Sequence, residues 1–207
     1  MKKMIVAALL AAGVAGSASA AYQPVGVQTN VALSTVTSGG WTQCYVATMG
    51  QSIGGNASSV LNACHGDLLM MAGRATGSST LLVLADALLS DTVIDTGQTS
   101  ITHLSNGANW YYSPNWSWGF TAAGDTVQNN QCDVGSSPTS MCLHTLAGVG
   151  GYRINDITGL NDSTAYEKIF FVASLNAAAV PEPTSIALLT AGLMGVAALR
   201  RKSKQKA

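Results

Sequence analysis

The sequence predicts a mainly β fold, a β-sandwich or jelly-roll-like extracellular domain flanked by an amino-terminal signal helix and a single carboxyl-terminal transmembrane helix. Three observations carry that expectation. Between two apolar ends the chain is rich in Gly, Ser, Thr and Asn, and its apolar runs are short and separated by turn residues, as in all-β sandwiches and barrels. Residues 1–20 have the layout of a secretory leader. Residues 184–199 form a second apolar stretch that stops at a cluster of basic residues.

The amino-terminal segment comes first. Lys2 and Lys3 precede an apolar stretch over residues 4–15, and Ala18, Ser19 and Ala20 satisfy the small-x-small rule for cleavage. A cut between Ala20 and Ala21 is expected. The alternative is an uncleaved anchor, for which the stretch is short of the roughly 18 apolar residues a spanning helix needs.

Residues 21–180 then form one extracellular β domain of ordinary size. Its basic residues are Arg74, Arg153 and Lys168, set against nine acids, a net charge of −6. The neutral whole-chain balance therefore arises from the two ends. Three cations make no basic stripe, which argues against a nucleic-acid partner.

Within the domain, residues 67–72 and 80–89 flank the turn-rich link 74–79 and read as a hairpin. The second run is rich in Leu and Ala, so helix propensity and strand context compete there, and strand is expected. Residues 169–173 read as a strand near the end of the domain. No internal repeat is evident.

An exported chain can form disulfides. Cys44, Cys64, Cys132 and Cys142 allow three pairings, of which the sequence-local one, Cys44 with Cys64 and Cys132 with Cys142, is expected. Residues 133–141 would then be a closed loop. Cys64 beside His65, and Cys142 two before His144, lack the spacing of zinc knuckles, so no metal and no cofactor are expected.

Trp110, Tyr112, Trp116 and Trp118 belong to a dense aromatic cluster with Tyr111 and Phe120. Flat aromatic faces stack on sugar C–H groups, and Asn106, Asn109, Asn115 and Asp125 are close enough in sequence to pair with hydroxyls, so a glycan platform is one reading. The other is sheet core, which aromatic side chains dominate. Asp156, Asn161 and Asp162, or Asp91 and Asp95, suggest calcium, but the D-x-[DN]-x-[DN]-G loop is absent and turn formation explains them. His65, His103 and His144 are scattered, and no G-x-S-x-G or H-E-x-x-H pattern occurs. Asp95 or Glu167 would serve a glycosidase only if a second acid lay at the right separation. A non-enzymatic protein is expected. The N-x-[ST] matches at Asn56, Asn115 and Asn161 are of the number chance supplies in so Ser- and Thr-rich a chain.

The carboxyl-terminal region, residues 181–207, has three parts in order. Pro181, Glu182 and Pro183 form a stiff spacer that biases its residues toward extended backbone. Residues 184–199 make a helix about 24 Å long at 1.5 Å per residue, short for a ~30 Å hydrocarbon core. Arg200, Arg201 and Lys202 open a basic tail over residues 200–207 that should stay in the cytoplasm. Ala191, Gly192, Gly195 and Ala198 give the helix a small-residue stripe suited to close helix contact. This order resembles the PEP-CTERM sorting signal of Gram-negative bacteria, whose partner is the membrane protease exosortase. The resemblance implies cutting at or near Pro181–Pro183, transient anchoring in the inner membrane, and then a cell-surface or extracellular location, commonly alongside exopolysaccharide. The blocks at residues 40–45, 68–72, 116–120 and 159–167 are similar to a pattern in assorted secreted bacterial proteins of no assigned activity, which implies one coherent domain over about residues 39–174. The expected role is thus a non-catalytic envelope or matrix protein, with a lectin-like module and a polysaccharide hydrolase as rivals.

Overall fold

The computed structural model describes residues 22–128, 132–134 and 137–175. Both ends of the chain, with the leader, the Ala20–Ala21 bond, the spacer, the expected membrane helix and the basic tail, lie outside the described residues. Among the described residues no helix is long and apolar enough to cross a membrane.

Strands dominate. In chain order they are β1 (Gln28–Ala32), β2 (Thr42–Thr48), β3 (Leu68–Ala75), β4 (Thr80–Leu88), β5 (His103–Ser105), β6 (Ala108–Ser113), β7 (Ser117–Ala122), β8 (Val127–Gln128), β9 (Asp133–Val134), β10 (Met141–His144), β11 (Gly151–Ile154) and β12 (Tyr166–Ala173). Short helices α1 (Leu33–Ser38), α2 (Ser58–Leu61) and α3 (Leu89–Thr92) fill connections. The first sheet has the order β1-β4-β3-β12-β2 and the second β11-β10-β7-β6-β5, five strands each, with every pairing antiparallel.

The two sheets pack face to face as a sandwich. Leu69, Met71, Val83, Ala85 and Phe170 of the first sheet meet Trp110, Trp118, Phe120, Met141, Leu143 and Ile154 of the second in one buried cluster. The expected hairpin is β3–β4, and residues 169–173 lie in β12. The jelly-roll detail is not met: β5, β6, β7, β10 and β11 follow one another across a single sheet as a meander, whereas a jelly roll is built from Greek keys.

Each sheet is also covered on its outer face. Met70, Leu84, Ile169 and Phe171 pack under Val36 of α1 and Trp41, while Tyr111 packs with Val127, Cys132 and Cys142. Burial on both faces explains why β3 and the Leu-rich β4 are near-continuous apolar runs without alternation. Covering loops are tied down covalently: Cys44 is bonded to Cys64 and Cys132 to Cys142, as the sequence-local pairing anticipates. A wholly buried lysine adds a polar tie, since the Lys168 ammonium donates to the carbonyls of Thr48, Met49 and Gln51. Burial pulls its pKa down to about 8, which still leaves it charged at neutral pH.

Candidate functional site

The aromatic cluster is core. Trp110 and Trp118 have no exposed surface and Tyr112 is 7% exposed, so none offers a face on which a sugar ring could stack. The physical reason is register. Trp110 stands opposite Phe120 and Tyr112 opposite Trp118 across β6 and β7, and these four side chains point between the sheets. Trp116 is half-buried in the turn between β6 and β7, where its backbone nitrogen donates to the Thr145 hydroxyl at 2.7 Å. Two of the polar groups nominated beside it, Asn109 and Asp125, are occupied as well. Asn109 donates to the carbonyls of Ala122 and Asp125, and the Asp125 carboxylate accepts from Thr121, Ser137 and Thr139.

The acids considered for catalysis have structural partners. Glu167 faces Arg74 across β12 and β3, and the guanidinium is bonded to its carboxylate. Asp95 accepts from the Gly97 nitrogen at 2.9 Å, an Asx turn. Among the described residues no three His, Cys, Asp or Glu side chains group as a metal site.

What the fold does assemble is a cleft at one end of the first sheet. Its walls come from Gln23, Pro24 and Val25, from Leu68 of β3, from Asp86, Ala87 and Leu88 of β4, from Ser105 and Asn106, and from Leu175 after β12. The volume is about 460 Å³, within the ~300–1,000 Å³ of small-molecule sites. Asn106 and Gly107 form the two-residue turn between β5 and β6, both at positive φ (46° and 73°), as an Asn-Gly hairpin of type I′ requires. That turn abuts the incoming chain closely enough that a Cβ on Gly107 would lie 3.0 Å from the Gly26 nitrogen.

The turn aims the Asn106 amide at Asp86. Its Nδ2 donates to the Pro24 carbonyl at 2.9 Å, the Asp86 carbonyl at 3.1 Å and Asp86 Oδ2 at 3.2 Å. Three acceptors share two hydrogens, so the carboxylate is thinly served. Asp86 is 3% exposed, and its Oδ1 has no hydrogen-bond partner among the described residues. Burial pushes its pKa up to about 7, against the smaller opposing pull of the Asn106 bond. Around this acid the rim is apolar and open: Val25 is 72%, Leu88 39% and Leu175 52% exposed. A lone acid inside the apolar run of residues 81–89 was the available sequence signal for the cleft, and neither Asp86 nor Lys168 stood out by motif.

The comparisons with known proteins bear on the carboxyl-terminal region. The PEP-CTERM protein-sorting motif matches residues 179–202, which span Pro181, Glu182, Pro183, Arg200, Arg201 and Lys202. The chain is an exosortase-substrate protein. No curated protein and no solved structure matches it. For an exosortase substrate, the motif implies processing by exosortase and export with a carboxyl-terminal membrane anchor and a cell-surface location. The two disulfides of the domain are consistent with export.

Proposed function

We propose that this exosortase substrate is a non-catalytic component of the cell envelope or extracellular matrix, associated there with exopolysaccharide. In this reading its leader is removed between Ala20 and Ala21, residues 184–199 hold it transiently in the inner membrane, and exosortase then severs the tail near Pro181–Pro183. The single observation that carries the proposal is the sorting motif at residues 179–202. The disulfide-tied sandwich supports it, because bonds of this kind persist in oxidising compartments. The association with exopolysaccharide rests on the sorting route alone. Neither rival, the lectin-like module or the polysaccharide hydrolase, draws support from the side chains nominated for it.

The test is the intact mass of the protein recovered from cells with and without exosortase, and of a variant lacking residues 181–183. Loss of the basic tail only where both the enzyme and the spacer are present is the expected result. Equal masses in all three samples overturn the processing step. Retardation of the recovered protein in a gel cast with the host's exopolysaccharide tests the association separately, and unaltered migration removes it.

A further inference from the structure

We propose that the cleft over Asp86 is a binding site for a small molecule carrying a primary ammonium on a short apolar body. The inference rests on the folded domain and is independent of the sorting route. Among the described residues that line the cleft, Asp86 supplies the only formal charge. Among the described residues, no arginine, lysine or histidine stands in its walls to neutralise that acid. Its Oδ1 is without a partner among the described residues, and an unserved acceptor of this kind is a costly thing to bury.

Two of the domain's other buried charged groups are satisfied internally. Lys168 has three carbonyls, and Glu167 has the Arg74 guanidinium. Asp86 differs from these two, and a cavity adjoins it.

The shape of the cleft selects the rest of the ligand. An ammonium brings three donors and a full positive charge, matching an acid held by a single shared amide. Val25, Leu88 and Leu175 at the rim, with Leu68 and Ala87 in the walls, suit a few methylene groups. A net charge of −6 over residues 21–180 would raise the local concentration of cations around it. An anion meets the opposite field, and a purely apolar molecule leaves Asp86 as it is.

The probe is n-butylammonium chloride, titrated into the isotope-labelled full chain in detergent and followed by the backbone amide resonances. Saturable shifts are expected at Val25, Ala87, Leu88, Ser105, Asn106 and Leu175. Asp86→Asn keeps the shape and removes the charge, and should weaken binding about tenfold or more, the equivalent of roughly 1.4 kcal/mol. Val25→Trp obstructs the rim without touching Asp86 and should weaken it comparably, so the proposal stays testable should Asp86→Asn fail to fold. Equal shifts with n-butanol or with sodium chloride overturn the proposal. So does the absence of saturable shifts, or unchanged affinity in a folded Asp86→Asn chain.

Discussion

Trp118 of the second sheet lies stacked on Phe170 of the first, ring centroids 5.3 Å apart and planes inclined by 29°. Tyr112 meets the same indole edge-on at 6.0 Å, and the indole Nε1 donates to the Thr92 carbonyl at 2.7 Å. One side chain thus bridges the sheets and ties α3 to them. Trp118→Ala should cost about 3–5 kcal/mol of stability, read from the midpoint of urea unfolding. Trp116→Ala, in the half-buried turn, should cost much less. The opposite ranking would remove Trp118 from the centre of the core.

Arg74 and Glu167 make a cross-strand ion pair that is 12% and 10% exposed, and Arg74 Nη1 also donates to the Ser78 carbonyl in the β3–β4 turn. Glu167→Gln leaves a guanidinium without its counter-charge in a poorly solvated place. Because the pair keeps some solvent, the loss should be about 2–3 kcal/mol, below that of a wholly buried pair. Arg74→Met combined with the same Glu167→Gln should recover most of it in a double-mutant cycle. Strict additivity of the two single losses would show that the groups act separately.

The cystines should differ modestly in worth. Cys44–Cys64 spans 20 residues and Cys132–Cys142 spans 10. Loop-closure entropy assigns about 3 kcal/mol to each, a little more to the wider loop. Replacing each pair by serine and comparing denaturant midpoints checks the ranking. Alkylation of the unreduced, denatured protein should add no mass at any of the four cysteines.

Asp86 should give the domain an unusual acid response. Its folded-state pKa, pushed up to about 7, lies above the ordinary aspartate value of 3.8, so the native state binds more protons than the unfolded chain between those limits. The contribution is therefore fully favourable below about pH 4 and is lost as pH rises through 7. Asp86→Asn should flatten that part of the stability curve, by an amount on the order of 2–4 kcal/mol. A variant whose stability keeps the same slope between pH 4 and 7 would show that another group titrates there.

Much of the sandwich is legible in the sequence because turn chemistry is local. The link between β3 and β4 and the strand over residues 169–173 follow from composition at short range. The sorting motif is legible for the same reason, being a linear order of spacer, apolar stretch and basic stop. Residues 81–89 were harder. Leu and Ala favour helix in isolation, and only burial on both faces makes a strand of them, a tertiary fact. The aromatic cluster misleads in the same way, since Trp110 and Trp118 read equally well as a platform or a core until the partner sheet is in place. The cleft over Asp86 is the least legible feature. Residues 23–25, 68, 86–88, 105–106 and 175 meet there only after the chain has folded back several times.

The position of β12 has a further consequence. It is the last described strand in the chain, yet it stands inside its sheet, paired with β3 on one side and β2 on the other. A polypeptide emerging amino terminus first cannot close that sheet until Ala173 has come through, so earlier strands must wait with a gap between them. The sorting motif begins only a few positions later, at residue 179. Maturation of the sandwich and capture of the tail therefore fall almost together in time, and anything that delays the final strand would present the processing enzyme with an unfinished passenger.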